Sequence, residues 1–158
     1  MVLIGDVRAA NAGDWLADRA CRRCDVEIDL IDLAAACLPD VRPDVRPEVV
    51  PTPPAVRDLA PWLASGDGFV VVVPERSPGS LSNVIAWYGR EWRGKPVAFA
   101  GGGCDRLVRR LRPVFADAHT VTVPGVARVP ADVDRMLDQL VWWARPLRET
   151  RVTTPYPL

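Results

Sequence analysis

The stretch Asp67-Gly68-Phe69-Val70-Val71-Val72-Val73-Pro74-Glu75-Arg76-Ser77-Pro78-Gly79-Ser80-Leu81-Ser82-Asn83-Val84-Ile85 decides the fold. Phe69 to Val73 is uniformly apolar and almost wholly β-branched. Successive strand residues point to opposite faces, so a strand with no polar side must be covered on both. Beyond a loop bearing Pro and Gly, Leu81, Val84, Ile85 and Tyr88 recur at helical spacing. The unit is strand, short loop, helix.

The same unit repeats in both directions. Val2-Leu3-Ile4 reads as a short buried strand, Gly5 to Ala12 as a loop, and about Gly13 to Cys24 as a helix carrying Leu16, Ala17, Ala20 and Cys24. Val26 to Ile31 alternates apolar and polar residues, as a strand at a sheet edge does. Pro96 to Ala100 is a fourth strand, followed by a helix with Leu107, Val108, Leu111, Val114 and Phe115. Thr120 to Val123 is a fifth strand, and Val133, Met136, Leu137, Leu140, Ala144 and Leu147 mark a closing helix. Strands alternating with helices predict an α/β fold with a parallel sheet covered on both faces. At this length the flavodoxin-like three-layer sandwich, with five parallel strands in the order 2-1-3-4-5, is the expected architecture. One domain is expected over residues 1–150, with 151–158 as a C-terminal tail.

Residues 39–54 break the pattern. They hold Pro39, Pro43, Pro47, Pro51, Pro53 and Pro54, and the near-repeat Asp40-Val41-Arg42-Pro43 and Asp44-Val45-Arg46-Pro47. Proline at this spacing forbids a helix interior and removes strand donors. The segment reads as a semi-rigid linker within the domain, or as an arm that grips a partner subunit.

The 158 residues carry 20 Lys+Arg against 20 Asp+Glu, a formal net charge of zero, and are 49% hydrophobic. A balanced charge excludes the basic footprint of a nucleic-acid binder. No apolar run reaches the roughly 20 residues of a membrane span, and the start lacks the pattern of a secretory leader, so a cytoplasmic protein is expected. Four cysteines suit a reducing compartment. Cys21-Arg22-Arg23-Cys24 has redox-motif spacing, but it falls near the end of the first predicted helix, where the dipole does not favour a thiolate. Both are expected to be small buried residues on one helix face. One histidine, His119, leaves no metal-ligand set, and its place beside the fifth strand makes it no catalytic candidate. Trp142 and Trp143 cannot both face inward, and Trp87 and Trp92 add further aromatic surface, some of it expected to pack in the core and the rest at a subunit interface.

In such a sheet, ligands bind at the carboxyl ends of the strands where the strand order reverses. The loops there are Gly5-Asp6-Val7-Arg8-Ala9-Ala10-Asn11, Pro74-Glu75-Arg76-Ser77-Pro78-Gly79-Ser80 and Gly101-Gly102-Gly103-Cys104. Each carries glycine and feeds a helix, the arrangement in which free amides and the helix dipole receive an anion. The candidate cofactor-binding residues are therefore Gly5, Asp6, Arg8, Asn11, Pro74, Glu75, Arg76, Ser77, Gly101, Gly102 and Gly103. Cys104 is read as a partly buried thiol at the start of a helix, with a redox or substrate-touching role as the other reading.

These residues resemble the NADPH-dependent FMN reductase family. Val26 to Leu33 followed by Leu38-Pro39 is similar to the family's second strand and its exit. Asp67 to Glu75 resembles the strand that ends in Pro-Glu-Tyr-Asn, and Pro78-Gly79-Ser80-Leu81-Ser82-Asn83-Val84-Ile85-Ala86-Trp87 resembles Pro-Gly-x-Leu-Lys-Asn-x-Ile-Asp-Trp. Gly94 to Ala98 matches the lead into strand 4, and Gly101-Gly102-Gly103 its glycine-rich exit. The resemblance implies FMN, NADPH or NADH, and a homodimer or homotetramer. It also implies that Arg8, Asn11 and loop amides hold a phosphate while Pro74 to Ser77 and Gly101 to Gly103 frame the flavin ring.

Departures gather at that site. The family's first loop runs Gly-Ser-x-Arg-x-x-Ser; here Asp6 and Asn11 replace the serines. A carboxylate about 4 Å from a phosphate costs on the order of 4 kcal/mol per unit charge pair at an effective dielectric near 20. Asp6 either caps the first helix or pairs with Arg8, or it marks a changed ligand. Arg76 and Ser77 stand where Tyr-Asn lies in relatives; Arg76 is read as reaching the nicotinamide-cofactor phosphate or an anionic substrate, or as an exposed loop residue. Pro74 to Asn83 is about three residues shorter than the family spacing, and Ser82 and Ala86 replace Lys and Asp.

The expected function is FMN-dependent NAD(P)H oxidoreduction, passing hydride to a small-molecule acceptor. No general acid or base is required for it. The alternatives are a repurposed relative without FMN, acting on another anionic small molecule or as an accessory subunit, and a module that only mediates assembly.

Overall fold

The computed structural model describes residues 2–5, 10–40, 52–73, 79–101 and 105–157, with side chains described from Trp15 onward apart from those of Gly79 and Ser80. The elements are β1 (Val2–Gly5), α1 (Ala10–Cys21), β2 (Asp29–Asp32), α2 (Pro54–Ser65), β3 (Phe69–Val72), α3 (Gly79–Trp87), β4 (Pro96–Ala100), α4 (Asp105–Asp117), β5 (Val121–Thr122) and α5 (Pro130–Thr153). The strands hydrogen-bond in the order β2-β1-β3-β4-β5, and every pairing is parallel.

Strand alternation divides the core into two layers of side chains. Phe69, Val71, Val73, Val97 and Phe99 face α2, α3 and α4, where they meet Val56, Leu63, Leu81, Val84, Tyr88, Val108, Leu111 and Phe115. Val70, Val72, Ala98 and Ala100 face α1 and α5, against Leu16, Ala20, Val133, Met136, Leu137 and Leu140. Every residue of β3 is therefore buried, which is why its sequence has no polar side.

Several boundaries differ from the sequence expectation. The first helix runs Ala10–Cys21 and stops short of Cys24. Arg23 ends it: its backbone N–H closes on the Ala20 carbonyl (3.1 Å), and its guanidinium holds Asp25 (2.9 and 2.8 Å) and Asp138 of α5 (2.7 Å). Cys21 and Cys24 are consequently exposed rather than buried on a helix face. The second strand is Asp29–Asp32, and Leu30 is 64% exposed at this sheet edge. Helix α2 carries no expectation from sequence; Pro54 opens it at a position where the missing N–H costs nothing, and Val56 and Leu63 bury its inner stripe. Trp92 is fully buried, not surface, in a group with Phe69 (centroids 4.3 Å apart) and Phe115 (5.4 Å). Trp142, 67% exposed, does face outward. The middle of the proline-rich segment, 41–51, lies outside the described residues. Its start is tied to α3, since Trp87 Nε1 donates to the Pro39 carbonyl (2.9 Å) and Asn83 Nδ2 to Asp40 (2.8 Å).

Candidate cofactor site

The strand register brings the strand ends that precede the predicted loops to one edge. Gly5 pairs with Asp32, Ile4 with Val71, and Val72 with Ala100, so β1, β3 and β4 end at one level on one edge. From that edge the chain enters α1 at Ala10, α3 at Gly79 and α4 at Asp105. Three helices thus begin from that edge, and first-turn amides of helices favour an anion.

The exits of β3 and β4 are joined most closely. Val73 N–H donates to the Ala100 carbonyl (2.8 Å), and Gly101 N–H to the Ala127 carbonyl (2.8 Å). Gly101 has φ +121°, and a Cβ there would lie 2.8 Å from the Val73 carbonyl oxygen. Only glycine satisfies both the dihedral and the approach. Gly5 ends β1 and Gly101 follows β4, so both exits present backbone without a side chain at this edge.

Of the residues singled out from sequence, Gly5, Asn11 in the first turn of α1, and Gly101 are described, and all three lie at this edge. Asp6, Arg8, Pro74, Glu75, Arg76, Ser77, Gly102, Gly103 and Cys104 lie outside the described residues.

Sequence reasoning missed the segment after β5. Ala127 N–H donates to the Phe99 carbonyl (3.0 Å) and Ala127 bridges to Ala100, so this segment runs alongside the β4 exit. Arg112 of α4 fastens it, donating to the carbonyls of Val123 (3.0 Å) and Gly125 (2.8 Å) while its guanidinium lies 5.2 Å from the Phe99 ring centroid. Arg128, next along, donates from Nη2 to Asp105, the first residue of α4. The Pro124-Gly125 turn was the available signal, but a turn does not say which strand its neighbours will meet.

The opposite edge of the sheet holds different chemistry. A groove of about 630 Å³ is lined there by Asp25, Glu27, Asp67, Arg145 and Arg148 among others, with Arg148 3.3 Å from Asp67. Lys95 is buried at that end and donates to the carbonyls of Leu63 (2.9 Å) and Ala64 (2.8 Å). Burial, with the Arg151 charge next, pushes its pKa down to about 8. His119 contacts Tyr156 Oη (3.2 Å), away from the three loops. Among the described residues no cluster of His, Cys, Asp or Glu is arranged to hold a metal ion, and no helix is long and apolar enough to cross a membrane.

Residues 1–134 match the family described as NADPH-dependent FMN reductase. The chain belongs to that family. Membership sets FMN and a reduced nicotinamide nucleotide as cofactors, and NAD(P)H-dependent flavin oxidoreduction as the class of activity. Among solved structures, the chain is similar to FerB, a flavoenzyme NAD(P)H:(acceptor) oxidoreductase from Paracoccus denitrificans, with 18% identity, TM-score 0.57 and coverage of 94% of each chain. It is also similar to the two-electron reduced flavodoxin of Megasphaera elsdenii, at 15% identity and TM-score 0.55, covering 92% of this chain and 99% of that one. A thermophilic tryptophan halogenase from Streptomycin violaceusniger aligns at 18% identity and TM-score 0.51, covering 94% of this chain and 95% of that one. Identities this low establish the flavodoxin-like fold and no more. No curated protein sequence matches the chain.

Proposed function

We propose that the protein is an FMN-dependent NAD(P)H oxidoreductase that passes hydride to a small acceptor of the flavin or quinone type. The observation that carries this reading is the common level at which β1, β3 and β4 end, which gathers three glycine-bearing exits and three helix N-termini at one edge. The described part of that edge fits FMN: it offers amides to a phosphate and glycine backbone to a planar ring.

FMN, when bound, supplies the hydride chemistry. The chain binds and orients. Amides of the loop after Gly5, with Arg8 and Asn11, would hold the phosphate, while Pro74, Glu75, Arg76, Ser77 and Gly101 to Gly103 would frame the ring. No side chain is required to move a proton. The free, exposed Cys21, Cys24 and Cys37 suit a reducing cytoplasm, and the exposed Trp142 suits a homodimer or homotetramer.

A second reading, a relative that has given up FMN for another anionic small molecule, is favoured by Asp6 where the family carries serine. One experiment separates them. The purified protein is examined for yellow colour and released FMN, then titrated with FMN while flavin fluorescence is followed. Binding at micromolar protein, with NAD(P)H oxidation by the loaded form, supports the reductase. Absence of binding removes it. Light scattering on the same sample reads the subunit number.

A further inference from the structure

Building on the proposed reductase function, we infer that Arg128 receives the 2′-phosphate of NADPH, the group that NADH lacks, and so sets the preference between the two. Three observations lead there.

The first is position. Arg128 follows Ala127, whose N–H and carbonyl bond the Phe99 carbonyl (3.0 Å) and the Gly101 N–H (2.8 Å) at the exit of β4. Its side chain therefore starts one strand beyond the glycine-rich loop, at the edge where the cofactors meet.

The second is order. The Arg128 backbone N–H donates to Asp132 (3.1 Å) at the start of α5, and Arg112 fastens the segment just before it through the Val123 and Gly125 carbonyls. The guanidinium rests on Asp105, so both ends of the residue are placed before any ligand arrives.

The third is unused capacity. An arginine fork carries five N–H donors, and among the described residues Asp105 is the one side-chain partner of this one. Half of the Arg128 side chain is exposed (50%). By contrast, Arg23 holds both Asp25 and Asp138, and Arg151 holds Gly94 and Asp67. A guanidinium ordered by one carboxylate and otherwise open binds a phosphate with little ordering left to do. Arg106, also in the first turn of α4, has no such carboxylate holding it among the described residues.

The test is a calorimetric titration of 2′,5′-ADP into wild type, Arg128→Ala, Arg128→Lys and Arg106→Ala, with FMN titrated separately into each. Arg128→Ala is expected to weaken 2′,5′-ADP about tenfold or more, Arg128→Lys to restore part of the loss, and Arg106→Ala to change it less than about twofold. FMN affinity is expected to stay within about twofold throughout, because the flavin phosphate is assigned to the β1 loop. Equal 2′,5′-ADP affinity in wild type and Arg128→Ala, an equal loss in Arg106→Ala, no binding by wild type, or a loss confined to FMN would each overturn the assignment. A wild type that binds 2′,5′-ADP through Arg128 but takes no FMN would instead sink the reductase reading and leave Arg128 in place.

Discussion

The α-carbon of Gly101 faces the carbonyl of Val73 so closely that a methyl group on it would stand 2.8 Å from that oxygen. This contact sets the spacing of the β3 and β4 exits at the candidate site. Gly101→Ala meets both that backbone atom and a φ of +121°, a region essentially reserved for glycine. The variant is expected to lose about 1–3 kcal/mol of stability, read as a lowered denaturation midpoint. Its FMN affinity should fall as well. A variant as stable as wild type would show that the two exits separate freely.

Asp6→Ser removes a carboxylate from the loop assigned to the phosphate. If that charge opposes FMN, the variant should bind FMN at least about fivefold more tightly than wild type, since even a fully water-screened pair of like charges about 4 Å apart is worth about 1 kcal/mol. Fluorescence titration reads this directly. Unchanged affinity would mean that Asp6 is turned away from the phosphate.

Lys95 predicts a pH dependence. Its folded pKa, pushed down to about 8 by burial, lies below its ordinary value of 10.5, so the unfolded chain binds more protons between the two. Stability from this group therefore rises as pH climbs from about 8 to about 10.5, and is flat below. Urea denaturation across that window should show the rise, by about 1–3 kcal/mol, and Lys95→Met should abolish it. The same variant leaves the Leu63 and Ala64 carbonyls without their donor and should be less stable at neutral pH by about 1–3 kcal/mol. An identical slope in wild type and Lys95→Met would refute the assignment.

Trp92 carries a buried Nε1–H with no hydrogen-bond partner among the described residues, flanked by the Phe69 and Phe115 rings. Trp92→Phe deletes the unsatisfied donor while keeping most of the ring, so it should cost less than about 1.5 kcal/mol. Trp92→Ala opens a cavity and should cost about 3–5 kcal/mol. Thermal denaturation of both separates packing from hydrogen bonding.

The elements legible in the sequence were those whose reason is local. Phe69 to Val73 could only be a strand covered on both faces, and Leu81, Val84 and Ile85 could only line one side of a helix. The family motifs around Asp67–Trp87 pointed to the same edge that the strand register brings together. Helix α2 was hidden behind the prolines that precede it, because Pro54 looks like a breaker but serves as a first helical residue. Cys21 and Cys24 were misjudged because what ends α1 is Arg23 reaching Asp138, 115 positions away.

Alternation of apolar runs, helical periodicity and glycine placement therefore determined the layered α/β fold and the side of the sheet where the candidate site is placed, since each depends on residues a few positions apart. Tertiary structure alone decided that Ala127 lies beside Gly101, that Arg128 meets Asp105, and that Lys95 is buried under α2. Those facts depend on which strand exits fall side by side, and on which charges packing removes from water. Neither quantity exists until the chain has closed on itself.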